Sequence, residues 1–237
     1  MNVTFDSTIN GNQNLTITAS GTTTLSGAVG GTSALASLTS NGGSTTVLNG
    51  STITTTGAQT LTDAVTLGID TTLSGTNINF ASTVNGSSAD TESLTITGNV
   101  DFNGIVGGST SLEFLTVSGT TSLDGGNVTT AGIQTFTGAT TLGADATLSG
   151  TNVSFVSTLN GAQNLTISAS GLTSFGSTVG NSAALTSLTT DASGTVAFSG
   201  DVTTTGAQSF SDAATLNANA AFSSTGNSDI IFGGTIN

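Results

Sequence analysis

The segment Thr54–Gly86, TTTGAQTLTDAVTLGIDTTLSGTNINFASTVNG, returns at Thr129–Gly161 as TTAGIQTFTGATTLGADATLSGTNVSFVSTLNG. It begins a third time at Thr203 as TTTGAQSFSDAATLNANAAFSSTGN. A chain that repeats itself at a long fixed period folds as stacked units, each burying its apolar side against its neighbours. Phe5, Phe80 and Phe155 stand 75 residues apart, and Phe232 follows after 77. The chain therefore divides into repeats at approximately 3–77, 78–152 and 153–229, with a partial fourth at 230–237. Together they form a single continuous body over 1–237.

Landmarks recur in the same order inside each unit. An LTIT-type run comes first, at Leu15–Thr18, Leu94–Thr97 and Leu165–Ser168, delayed in unit two by an insertion around SSADTES. Leu25 corresponds to Phe102 and Phe175, Leu61 to Phe136 and Phe210, and Leu73 to Leu148 and Phe222. Swaps between Leu and Phe fit interior positions. Phe114, whose counterparts are Ser37 and Ser187, is expected to point outward or to mark a local contact. Short runs such as Leu15–Thr18 and Val65–Leu67 alternate apolar with polar residues, the period of a strand with one buried face. They end in SG, NG, DA or GG, which form turns. Dense Gly and Thr with no Lys or Arg argue against helix.

Short strands, sharp bends and a long repeat predict an all-β parallel β-solenoid (β-helix). Coils of about 19–25 residues give three or four coils per unit and roughly 10–12 overall. At about 4.8 Å per coil the rod is on the order of 50–60 Å long. Leu, Ile, Val and Phe are expected inside, with Thr, Ser and Asn ladders outside. The alternative, a β-sandwich array, calls for longer strands and usually some Pro or Trp.

The chain has no Lys, Arg, His, Pro, Cys, Trp or Tyr, and its 13 acidic residues give a net charge of −13. Disorder is disfavoured by the mean hydropathy of +0.24 and by apolar residues recurring at fixed places. Without cations, the chain lacks the groups that neutralise nucleic-acid phosphates or anionic lipids, so neither partner is expected. No segment is long and apolar enough to insert in a membrane as a helix. The opening MNVTFDST has neither the basic nor the apolar region of a signal peptide, and an excised segment with an added start Met is expected.

Candidate chemistry is sparse. Ser and Thr nucleophiles need a neighbouring base, none is evident, and no catalytic residue or enzyme activity is expected. Asp63 and Asp212 share an equivalent place that is Gly138 in unit two, and Asp70 and Asp145 share one that is Asn219 in unit three. Asp recurring at a bend reads as turn chemistry. Calcium, which takes several oxygen ligands, is the one cofactor to consider. The segment GNSDIIFGG, Gly226–Gly234, looks like a single calcium-binding nonapeptide with Asp229 as ligand. Asp90 and Glu92 in the insertion form a looser candidate, and a terminal strand matching Val3–Phe5 accounts for the same Asp229 residues. Ice is a further candidate ligand, through outward Thr16 and Thr18 and the run Thr52, Thr54 and Thr56. The counterparts of that run are Asn127, Thr129 and Ala131, then Asp201, Thr203 and Thr205, a drift that breaks a long flat array. Asn-x-Ser/Thr sequons such as Asn14, Asn152 and Asn164 are expected by chance in this composition.

The pattern TTTGAQTxxxAVTLGxDTTLSGTNIxFxSTVNGxxxLTI resembles the repeats of filamentous-haemagglutinin-like exoproteins and large autotransporter adhesins of Gram-negative bacteria, over essentially the whole chain. The resemblance implies a right-handed coil and a secreted, extracellular or cell-surface location. It also implies a non-enzymatic role as stalk or filament body in adhesion, biofilm or cell contact, with host or neighbouring-cell glycans as partners. The scaffold repeats carry over no binding residue of the family. The chain opens with VTF and closes with IIF at the same phase of the repeat, so uncapped ends are expected to stack head-to-tail on further copies. A cut from a longer array explains the same match. The runner-up function is a binding module presenting the solenoid surface to calcium, glycan or ice.

Overall fold

The computed structural model describes residues 1–237 as an all-β parallel solenoid without helices. Strands pair in parallel one coil apart, as Val3–Phe5 does with Thr23–Leu25 and Ala146–Gly150 with Leu165–Ala169, with isolated parallel bridges continuing the ladders in places. Three faces make one coil. On the first face a column of Cα partners climbs from Val3 through Thr23, Thr46 and Val65 to Phe210 and Phe232, twelve positions in all. The second face carries Ile9, Val29, Ile53, Leu73 and Ile96, then Val117, Phe136, Phe155, Phe175, Phe198 and Leu216. The third runs from Leu15 through Leu38, Gln59 and Ile78 to Val202 and Phe222. About twelve coils result, at the upper end of the expected range.

Period-two runs dictate which side chains go in. Thr22–Leu25, Thr45–Leu48 and Ala64–Leu67 each bury their second and fourth residues. The inward residues merge into one cluster of 43 buried side chains along the axis. Phe136, Phe155, Phe175 and Phe198 stack face to face with centroids 5.2, 5.7 and 5.4 Å apart. Phe114 is exposed as its sequence context predicts, its ring lying over Gly132, where a Cβ would approach to 2.2 Å. Threonine departs from the expected outward placement. Thr23, Thr46, Thr121, Thr140, Thr173 and Thr190 are fully or almost fully buried in the inward columns. Thr has the branched shape of Val and fits the same half-buried pleat. In a run such as TTTL the pattern of residue types does not say which Thr turns inward.

The sequence repeat and the coil have different periods. Phe5 lies on the first face, Phe80 on the third, Phe155 on the second, and Phe232 on the first again. Three units thus span eleven steps, and one unit spans three and two-thirds coils. Equivalent residues move one face backward with every repeat. Leu25 is on the first face, Phe102 on the third and Phe175 on the second, each buried. All three faces accept the same sequence, which requires three similar walls around the core.

The corners are fixed by side chains reaching across coils. Asn10 Oδ1 accepts the N–H groups of Thr32 and Ser33 at 2.9 and 3.3 Å. Asn85 does the same for Ser109 and Thr110, and Asn160 for Ser182 and Ala183. These corners begin with Gly30, Gly107 and Gly180 at φ of +70°, +70° and +73°.

Candidate functional site

The polar side chains fall into three sets: corner acids, buried glutamines and outward hydroxyl rows. Asp63 and Asp212 are buried, and each accepts one backbone N–H from the corner one coil below, Gly43 at 2.8 Å and Gly194 at 2.9 Å. Those corners lie in Ser40–Leu48 and Thr190–Phe198, two residues longer than the matching Val117–Leu123. Unit two, with the short corner, carries Gly138 in place of the Asp. The Asp caps the extra loop of the neighbouring coil, a bond across coils in place of the local turn bond that its bend position suggests. Burial pushes the Asp212 carboxyl above the usual range, and the neighbouring Asp191 charge adds to it, against the Gly194 N–H and the Thr190 hydroxyl. Asp145 is held below the ordinary range by the N–H and the side-chain amide of Asn164.

The unit-two insertion folds into a corner around Glu92, which is 6% exposed. Ser87 Oγ donates to its Oε1 at 2.6 Å and Ser88 N to its Oε2 at 3.3 Å. Burial alone would raise this carboxyl, but the hydroxyls of Ser87 and Thr91 and the N–H of Ser88 hold it below its ordinary value. Asp90 accepts the Ser111 hydroxyl and has φ of +65°. Both Glu92 oxygens are occupied by donors, so the Asp90–Glu92 corner is self-satisfied.

A folded-state pKa below the unfolded one contributes stability above the unfolded value, and that contribution is lost as pH falls through the folded value. Glu92→Gln is therefore expected to destabilise the chain at pH 7 by about 1–3 kcal/mol, the range for breaking a buried charged hydrogen bond. The difference from wild type is expected to shrink as pH falls through and below the ordinary carboxylate range. Urea unfolding of both chains across that range measures it; a constant difference would refute the assigned role.

Asp229 stands exposed beyond the turn Thr225–Gly226, and its backbone carbonyl accepts the Gln208 N–H at 3.0 Å. It leads into Ile230–Phe232, the terminal strand matching Val3–Phe5. No group of three or more Asp or Glu side chains converges there or elsewhere.

Gln59, Gln134 and Gln208 had no role assigned from sequence, yet each is fully buried. The Gln59 Nε2 donates to the carbonyls of Ile53 at 3.2 Å and Ser74 at 2.9 Å. Gln134 reaches Val128 and Ser149 and Gln208 reaches Val202 and Ser223 in the same way. One side chain thus ties its own coil to the next. The signal was the recurring Thr-Thr-x-Gly-x-Gln, which Gln13 and Gln163, also in Gly-x-Gln but not buried, lack.

Outside, the second face assembles what the 75-residue comparison separated. Thr52, Thr72, Thr95, Thr116 and Thr135 are successive Cα partners, continued by Ser154 and Ser174. A second row lies two residues on, at Thr54, Ser74, Thr97, Ser118 and Thr137, beyond the inward Ile53, Leu73, Ile96, Val117 and Phe136. These ten residues are half-buried or exposed and none is charged. The expectation that drift breaks any such array fails, because Asn127 and Asp201 are not on this face. Thr56 is not in the row either, since the chain has turned at Thr55–Gly57. On the third face Thr16, Thr39 and Thr60 begin a row that passes to Asn79 and Asp101.

No cleft or cavity indents the rod, and no helix is long and apolar enough to cross a membrane. No family model matches the chain, and neither a curated protein nor a solved structure matches it.

Proposed function

We propose that this chain is a non-enzymatic structural element, the stalk or filament body of an extracellular bacterial adhesin or fibre. One observation carries the reading: equivalent residues of successive units fall on all three walls in turn, and one core runs through them without interruption. Such a body gains length by adding units and places whatever it bears at a set distance. Twelve coils make a rod of about 53 Å. The absence of Lys and Arg, which denies trypsin-like proteases their cleavage sites, suits an exposed fibre.

Self-association belongs to the same proposal. Val3, Phe5, Ile9 and Leu15 at one end, and Phe222 and Phe232 at the other, are only partly covered. A further coil of this repeat is the surface that fits them, supplied by more of the same chain or by a second copy stacked head-to-tail. Surface glycans of a host or neighbouring cell are the partners proposed for the whole fibre.

Negative-stain electron microscopy of the 237-residue chain over a concentration series tests both parts. Uniform filaments one rod wide support stacking. Monodisperse rods of about 53 Å retain the stalk and overturn stacking. Flexible or irregular particles overturn both.

A further inference from the structure

We propose that the second face is an ice-binding surface, formed by the paired hydroxyl rows from Thr52 and Thr54 to Thr135 and Thr137. The rows hold eight threonines and two serines over five consecutive coils. Coils stack at about 4.8 Å and residues two apart on a strand are about 6.7 Å apart, so the ten hydroxyls form a near-rectangular net about 19 Å long. Oxygens on a prism plane of hexagonal ice repeat at closely similar distances along two perpendicular directions. The net therefore matches a crystal of water in both directions at once, which a single row would not do.

Three further observations point to water. First, eight of the ten hydroxyls have no side-chain hydrogen bond; only Thr52, weakly to Ser51 at 3.5 Å, and Ser118, accepting from Gly98 N at 3.3 Å, are engaged. Second, no carboxylate interrupts the net, although the chain carries 13 acidic residues. A charge there would impose its own hydration shell in place of lattice water. Third, the net is rigid. Thr has few χ1 choices on a strand, and each row is pinned from behind by a buried residue: Ile53, Leu73, Ile96, Val117 or Phe136. Binding then loses little side-chain entropy. The methyl beside each of the eight threonine hydroxyls limits how adjacent water can orient, favouring an ordered layer over bulk liquid. The array fades where Ser154 and Ser174 are followed by Val156 and Gly176.

The experiment is single-crystal ice growth in a nanolitre osmometer with the full chain, compared with Thr116→Tyr and Thr60→Tyr. Thr116 is in the middle of the net, and Thr60 points outward on the third face. Far-UV circular dichroism and thermal unfolding check that both variants keep the fold. Wild type is expected to facet the crystal and hold it between melting and growth temperatures, and Thr60→Tyr to match it. Thr116→Tyr is expected to reduce that gap roughly fivefold or more, because a bulky ring lifts the lattice from preorganised hydroxyls on both sides. Round crystals that grow as in buffer would overturn the proposal, as would equal loss in the two variants. Unaltered ice growth with Thr116-dependent retention on a glycan column would assign the rows to carbohydrate and overturn it too.

Discussion

Phe155→Ala is expected to cost about 3–5 kcal/mol, the range for removing a buried aromatic side chain. Phe155 lies between Phe136 and Phe175 with its ring 5.2 and 5.7 Å from theirs, nearly parallel to both. Removing it opens a void that neither neighbour can fill, because each is held in its own coil by a parallel ladder. Phe114→Ala, on an exposed ring, is the control and should stay near 0.5 kcal/mol. Urea unfolding followed by far-UV circular dichroism compares the two. A cost below about 1 kcal/mol at Phe155 would mean that the aromatic column does not act as a packed core.

The second large effect is expected at Gly107. Its φ is +70°, and an added Cβ would sit 2.1 Å from the carbonyl oxygen of Thr129 in the next coil. Alanine there meets the left-handed backbone penalty of about 1–2 kcal/mol and an overpacking cost of about 1–3 kcal/mol, or about 2–5 kcal/mol together. The clash is with backbone and cannot be relieved by a rotamer change. Gly43 is a clash-free comparison, since nothing lies within 4 Å of its Cβ position, although its φ of +130° lies outside the left-handed helical well that Gly107 occupies. Gly43→Ala should cost only the conformational part. A loss at Gly107 below about 2 kcal/mol, within the backbone penalty alone, would show that coil contact is unimportant. Gly30 and Gly180 make the same approach to Thr54 and Thr203 and should behave like Gly107.

Much of the fold was legible in residue pattern. Alternation in runs such as Ala64–Leu67 requires a strand with one buried face, and the Leu-to-Phe exchanges at 25, 102 and 175 mark interior sites correctly. The surface was not legible by the same comparison. Residues 75 apart are equivalent in sequence but lie on different walls, so setting Thr52 beside Asn127 compared two places that never meet. The residues that do meet, Thr52, Thr72, Thr95, Thr116 and Thr135, are separated by 20, 23, 21 and 19 positions. Corner lengths set those unequal steps, and corner length depends on contacts such as Asp63 to Gly43 that residue type alone does not reveal. The buried glutamines were hidden for a related reason. Gln134 looks like a surface residue until the carbonyls of Val128 and Ser149 are brought to it by the coil.

The mismatch between unit and coil makes the repeat a turning device as well as a spacer. Each unit advances the rod by about 18 Å and shifts heading by one wall. Anything attached after one unit points a third of a revolution away from where it would point after none. Three units restore the original bearing, as Phe5 and Phe232 on the same wall illustrate. Gain or loss of a single unit in such a chain would therefore redirect its distal parts as well as move them. Changes in multiples of three would alter reach alone.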